Sequence, residues 1–411
     1  MSEIAPNEVG RRLREIRAWR GQTLEVTAGL AGISYGYLGK LERGEKALEN
    51  RRTLESIARA LRVAPSEFTE RPWEIADGPS AEAHATLVEF ENALEVCELG
   101  ENPGVPVRPW PAIEAELERL QSHMQAADYS AQGALTPRLL SELHAAYLEY
   151  PHVRDKVLRA LVICYQSAAW TTKSLTGRGL PLLAAKAAQQ CAEELNSPLW
   201  IGFAMWLRGH SAGQVSRSQQ YQRAVRMADQ LTGHLNDEQV LQCYGMLHLN
   251  AALAAAVQSD RTTADTHLDE AASAAERMSG DVGDFGGVWF GRINVAIWRA
   301  SIGLELGDGV RAVERAVGVP VDAIPSPVRR ASYYTEAGRA LLLSESRYRD
   351  QGVSLLLKAE RLTPQRVRSD FFVREAVSDN LRAARRDAGS RELRGLAWRL
   401  GVAPEPINRA H

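Results

Sequence analysis

The sequence predicts an all-α fold in two parts: five short helices at the N-terminus, then a long solenoid of paired helices. Three observations carry this. Apolar residues recur at helical spacing along most of the 411 residues, with no convincing alternating run that would make a strand. In about the first 75 residues, capping residues and glycines punctuate five short amphipathic segments. Beyond about residue 153, alanine-rich helices return with a period of about 40–48 residues.

A chain of 411 residues has room for two or three domains and a large core. Hydrophobic residues at 45%, charged residues at 24% and a formal net charge of −2 describe an ordinary soluble protein, so charge has to be read locally. The start, "MSEIAPNEVGRRLREIRAW", has no apolar core of signal-peptide length, and no later segment reaches about 18 uncharged apolar residues. A cytoplasmic protein with no membrane partner is expected. Cys97, Cys164, Cys191 and Cys243 lie far apart without a C-x-x-C, which argues against a zinc knuckle and against a disulfide framework.

The first helix has Asn7 as its cap, Val9, Leu13 and Ile16 on one side, and Gly21 as its stop. Thr23 caps the second, which ends at Gly32. Ser34 caps the third, with Ile33 and Leu38 spaced as a hydrophobic staple and Gly44 closing it. The fourth carries Leu54, Ile57, Ala58 and Leu61 at i, i+3, i+4 and i+7, and "VAPSEF" starts the fifth. Between residues 7 and 62, twelve Lys and Arg stand against seven Asp and Glu, a local positive excess that the near-neutral whole conceals.

With "GRRLREIRAWRG", "AGLAGISYGYLGKLERGEKA" and "TLESIARALRVAPSEF", the segment at about 7–70 resembles the Cro/repressor type of helix-turn-helix domain, the Xre family. The resemblance implies a third helix that enters the DNA major groove, with its N-terminal residues at base edges. It puts Tyr35, Gly36 and Lys40 against bases, and Thr23, Ser34, Tyr37 and Arg43 near phosphates. Lys46, Arg51 and Arg52 are where this fold commonly meets phosphate. Arg17 and Glu42 match a family ion pair that ties the first helix to the third. Gly36 and Gly39 would clear space for the groove, each costing up to about 1 kcal/mol of helix propensity. The second helix departs from the pattern: Thr27 stands where a core leucine is usual, while Leu24, Val26 and Leu30 fill positions that are often polar. A second domain or a partner subunit is expected to cover that face.

The expected domains are 1–72 for the reader, 73–110 for a linker and connector helix at roughly 81–98, and 111–411 for the helical body. "GENPGVPVRPWP" at 100–111 holds four prolines and must be irregular or extended. From there on, first helices start near Val157, Leu199, Val240, Val288 and Arg329, each followed by an alanine-rich second. This reads as a tetratricopeptide-like α-solenoid, with an irregular helical bundle as the alternative. "DFGGVWFGRINVAIWRASIGLELGD" and "RELRGLAWRLGVAP" make the whole similar to actinobacterial regulators that join an Xre-type reader to such a domain.

There is no H-E-x-x-H, G-x-S-x-G, G-x-x-x-x-G-K-[ST], or strand followed by G-x-G-x-x-G. No catalytic residue, metal site or cofactor is expected, and the protein is not expected to be an enzyme. Aromatics recur instead on or near the first helices of successive pairs. Tyr165, Trp170, Trp206, Tyr244, His248, Trp289, Phe290, Arg292 and Asn294 are the candidate lining of a pocket on the concave face. The same residues read equally well as filling between helices. The expected function is a homodimeric, sequence-specific transcription regulator that binds an operator in double-stranded DNA and senses a small-molecule or peptide effector. The alternative is a DNA-localised scaffold whose repeats hold a partner protein.

Overall fold

The computed structural model describes residues 8–69, 78–175, 179–211, 217–314, 318–384 and 391–402, and every regular element among them is helical. Asn7 and residues 73–77 of the expected linker lie outside the described residues. In chain order the α-helices are α1 (Glu8–Trp19), α2 (Leu24–Ala31), α3 (Tyr35–Glu42), α4 (Arg51–Leu61) and α5 (Ser66–Thr69). There follow α6 (Gly78–Ala85), α7 (Leu87–Val96), α8 (Trp110–Ala126), α9 (Tyr129–Glu149), α10 (Arg154–Ser174) and α11 (Leu180–Glu194). Next come α12 (Pro198–Ser211), α13 (Arg217–Leu231), α14 (Glu238–Val257), α15 (Arg261–Glu276), α16 (Arg292–Glu305) and α17 (Val310–Glu314). The last are α18 (Pro327–Leu342), α19 (Arg349–Leu362), α20 (Pro364–Ser369), α21 (Phe371–Ala384) and α22 (Arg391–Arg399).

The chain gathers into two compact units. One comprises Met1–Ala76, Gly303–Val317 and Ser332–His411; the other comprises Asp77–Ile302 and Gly318–Ala331. This grouping differs from the sequential division 1–72, 73–110, 111–411. Proline and glycine mark where a chain turns, whereas a unit is defined by which helices pack, and that depends on residues far apart in sequence.

In the first unit Thr23 and Ser34 cap as the sequence predicts, and Asn50 adds a cap on α4 that was not expected. Thr23 Oγ1 accepts from the Val26 amide at 3.2 Å, Ser34 Oγ from the Tyr37 amide at 3.2 Å, and Asn50 Oδ1 from the Thr53 amide at 2.9 Å. Each satisfies a donor that the first helical turn leaves unpaired. Gly21, Gly32 and Gly44 close α1, α2 and α3 with φ of 62, 65 and 67°. Leu13, Leu38, Leu41, Leu54, Ile57, Leu61 and Phe68 form the core of these helices, and Phe372 of α21 joins it. The anomalous Thr27 is fully buried, and its hydroxyl donates to Gln22 Oε1 at 2.8 Å. Gln22 Nε2 in turn donates to the Ala60 carbonyl at 3.2 Å, so a short polar relay joins α2 to α4. On the apolar face of α2, Leu24 packs half-buried against the core, whereas Val26 is 50% and Leu30 63% exposed, so the described residues of this chain leave that part of the face open.

In the second unit the expected connector helix is broken into α6 and α7 around Thr86, whose hydroxyl bonds back to the Ala83 carbonyl at 2.7 Å. Residues 98–109 carry no helix, as the prolines require. Beyond them the sequence period reappears as contacts. The Cys243 thiol faces the Leu199 carbonyl, and Asn250 Nδ2 donates to the Trp206 carbonyl at 3.0 Å, both at a separation of 44 residues. Constant separation means that α12 and α14 run parallel as successive first helices. Within a pair the order reverses: Tyr244 bonds Glu270 while His248 bonds His267, so α14 and α15 are antiparallel. Small residues permit the approach: a Cβ on Gly245 would fall 1.9 Å from the Phe290 ring. By length and composition α14 could cross a membrane, but 89% of its apolar window is buried in the helical stack.

Candidate nucleic-acid interface

The staple of Ile33 and Leu38 and the Ser34 cap fix how α3 sits, with Leu38 and Leu41 inward. Its open face carries Tyr35, which is 60% exposed, and exposed Gly36 and Lys40. A Cβ on Gly36 would meet nothing within 4 Å, so the backbone there lies bare to any surface that approaches. Thr23, Ser34, Lys46 and Arg52 are also exposed. Lys46 Nζ is 4.0 Å from Glu49 Oε1.

Three of the expected contacts, and the expected clearance at Gly39, sit differently. Gly39 is buried, because the exposed Arg43 side chain folds back with Nη1 3.1 Å from where a Cβ would stand. Arg43 is itself engaged by Glu45, at 2.6 and 3.0 Å. Tyr37 turns inward: it is half-buried and its hydroxyl donates to the Ala47 carbonyl at 3.5 Å. Burial, reinforced by the Glu49 and Asp379 carboxylates, pushes its phenol well above the ordinary range. Arg51, expected at a phosphate, forms an ion pair with Glu305, whose carboxylate also accepts from the Arg51 amide at 3.1 Å. Glu305 and Arg339 hold the backbone at Arg51 and Glu49, Phe372 packs against the Arg51 and Arg339 guanidinium groups, and none of the three carries a local sequence signal.

Arg17 and Glu42 meet as the resemblance implies, through Nε to Oε1 at 2.5 Å and Nη2 to Oε2 at 2.8 Å. The hydrogen bond to Glu42 raises the Arg17 pKa further, against the opposing effect of burial.

The candidate pocket residues are mostly engaged in the core. The Tyr165 hydroxyl and His144 Nε2 lie 2.7 Å apart, and both residues are buried. Phe290 is buried against Gly245, and Asn294 donates to the Val288 carbonyl at 2.9 Å and accepts from Arg329 at 2.6 Å. Arg292 pairs with Glu276 and Asp281 at 3.0 and 2.9 Å. Trp289 is half-buried on a left-handed backbone, φ 54°. Trp170 and Trp206 do come together, ring centres 6.3 Å apart, and both buried indole N–H groups have no hydrogen-bond partner among the described residues. Two clefts, of about 440 and 420 Å³, are lined by other residues, Glu360, Arg368 and Arg399 in one, Glu89, Asn92 and Pro137 in the other. Among the described residues no group of three or more His, Cys, Asp or Glu could hold a metal ion.

His248 Nδ1 lies 2.9 Å from His267 Nδ1, and the Tyr221 hydroxyl lies 3.1 Å from His267 Nε2. Burial, then the neighbouring imidazole, pulls His248 down to about 4, while Glu270 and Asp229 act weakly the other way. An unfolded His248 takes up a proton near its ordinary 6.5, and the folded one does not until about 4. The stability is therefore intact above the upper value and falls as pH drops through this window. Thermal melts from pH 7 to 4 should show a declining Tm, and His248→Gln should flatten the decline; an unchanged slope would remove His248 as its source.

The cap, turn glycine, inward leucines and open helical face together define a helix-turn-helix domain. Residues 8–70 match the model of a helix-turn-helix domain family. No curated relative matches the chain. Among solved structures, the apo form of the competence regulator ComR from Streptococcus vestibularis matches at 15% identity over 86% of this chain and 98% of that one, with a TM-score of 0.19. Apo ComR from S. thermophilus matches at 14% identity over 93% and 99%, with a TM-score of 0.17. Neither places a residue of this chain.

Proposed function

We propose that the protein is a cytoplasmic DNA-binding transcription regulator with an Xre-type reader, acting as a homodimer and without enzymatic activity. Its helix pairs, tetratricopeptide-like in period, sense a small molecule or peptide. The open face of α3, with Tyr35, Gly36 and Lys40 exposed beside a bare stretch of backbone, carries the reading. One reader buries too little surface for high specificity, so two recognition helices about 34 Å apart on one operator are expected. Few groups on α3 can make bidentate bonds to bases, so specificity leans on Lys40, thymine-methyl contacts to the Tyr35 ring and DNA shape.

Selection of genomic DNA by the purified protein tests this: a sharp palindromic motif is expected, and sequence-blind, salt-sensitive binding alone would sink it. On the selected site Lys40→Ala and Tyr35→Ala should each cost about 1–3 kcal/mol and blur base preference. Arg52→Ala should weaken all duplexes alike and reduce the salt slope by about 0.9. Equal losses on every sequence from the first two would contradict base reading. For sensing, a ligand that raises Tm must also change operator affinity, because coupling is reciprocal.

A further inference from the structure

The connection from α3 to α4 is held by residues from the other end of the chain, and it is held by its backbone. Arg339 is a 1% exposed guanidinium whose Nη2 donates to the Glu49 carbonyl at 3.2 Å and whose Nη1 donates to Glu336 at 2.6 Å. Two residues on, the buried Glu305 carboxylate accepts from the Arg51 amide at 3.1 Å and pairs with the Arg51 guanidinium. Between these two points stands Asn50, the cap of α4. Phe372 lies under both cations, with the Arg339 guanidinium 4.8 Å and that of Arg51 5.7 Å from its ring centre. The same ring belongs to the core that seats Leu38 and Leu41 of α3.

This arrangement brackets the three residues Glu49 to Arg51 from both sides. Exposed Lys46 and Arg52 flank that segment, and phosphate contacts of this kind set the register in which a recognition helix meets the bases. A carboxylate buried against a helix N-terminus and a guanidinium is also strongly held, since removing its partner leaves an uncompensated charge. Burial alone would lower the Arg51 pKa, but Glu305, Glu336 and Asp370 outweigh it and raise it. A bond to backbone at each end does more than fill the core: it determines where the loop runs.

We infer that Glu305 and Arg339 are positioning residues for DNA reading, fixing the α3–α4 loop through its backbone and taking Arg51 as an internal counter-ion instead of a phosphate contact. The inference rests on the DNA-binding reading above. Residues outside the matched 8–70 thereby set the geometry of the reader, so α16, α18 and α21 are elements through which the rest of the first unit reaches it.

The test uses the full-length protein, the duplex that the wild type selects from a random pool, and a random duplex of equal length. Arg339→Lys keeps the charge beside Glu336 and Phe372 but lacks the second forked N–H that reaches Glu49. It should lose about tenfold on the selected duplex while binding the random one unchanged. Glu305→Gln frees Arg51 from its counter-ion and should steepen the dependence of log affinity on log salt by about 0.9. Both should speed amide exchange across residues 46–54 without speeding it in α1. Variants that fold, exchange and discriminate like the wild type would overturn the inference, as would a fall in Tm with discrimination and salt slope unchanged. A wild type that holds no duplex above random would overturn the functional reading first, and this inference with it.

Discussion

Gly10→Ala is expected to destabilise the reader by about 3 kcal/mol, the upper range for a side chain forced into a closed contact. Gly10 sits where α1 crosses the last turn of α3. A Cβ there would fall 2.2 Å from the Leu41 carbonyl oxygen and 3.0 Å from that of Glu42, both backbone atoms that cannot swing aside. Either α1 lifts off α3, exposing Leu13 and Leu38, or the last turn of α3 unwinds. Both disturb the helix that carries Tyr35 and Lys40. Gly36→Ala makes the control: its Cβ would meet nothing within 4 Å, so helix propensity should add up to about 1 kcal/mol of stability. Denaturant unfolding of the two variants measures both. A Gly10→Ala protein as stable as the wild type would mean that α1 and α3 do not cross this closely.

What the sequence revealed and what it concealed divide along the distance of the partner. Caps and stops of α2 and α3 depend on residues three or four positions apart, and Thr23, Ser34 and Gly32 all act where the spacing puts them. The helix period is equally legible, because stacking carries a 44-residue offset directly into contacts such as Asn250 to Trp206. Arg51 could not be read this way: its partner lies 254 residues away, and nothing local distinguishes it from exposed Arg52. Gly39 was hidden for another reason, since a helical wheel places it outward but cannot show that Arg43 lies across it. Tyr165, Phe290 and Asn294 were ambiguous from the start, because an inner helix face is apolar whether it fills a core or lines a pocket.

Arg17→Ala is expected to cost about 3–5 kcal/mol, because it strands a buried carboxylate. Glu42 has only 5% of its side chain exposed, and Arg17 meets it with two hydrogen bonds. The same guanidinium donates from Nη1 to the Gln22 carbonyl at 2.8 Å, so it ties α3 both to α1 and to the turn before α2. Removing the charge on one side alone should be worse than removing both. Arg17→Met combined with Glu42→Leu leaves no orphaned charge and should recover more than half of the loss, with a coupling of about 2 kcal/mol or more in the double-mutant cycle. Additive single effects would reduce the pair to an incidental contact. DNA binding separates the roles further: the double variant should regain fold before it regains specificity, because hydrophobic replacements restore volume but not the forked geometry that sets the angle of α3. If its base preference matched the wild type, the angle would be fixed by the leucines beneath α3 alone.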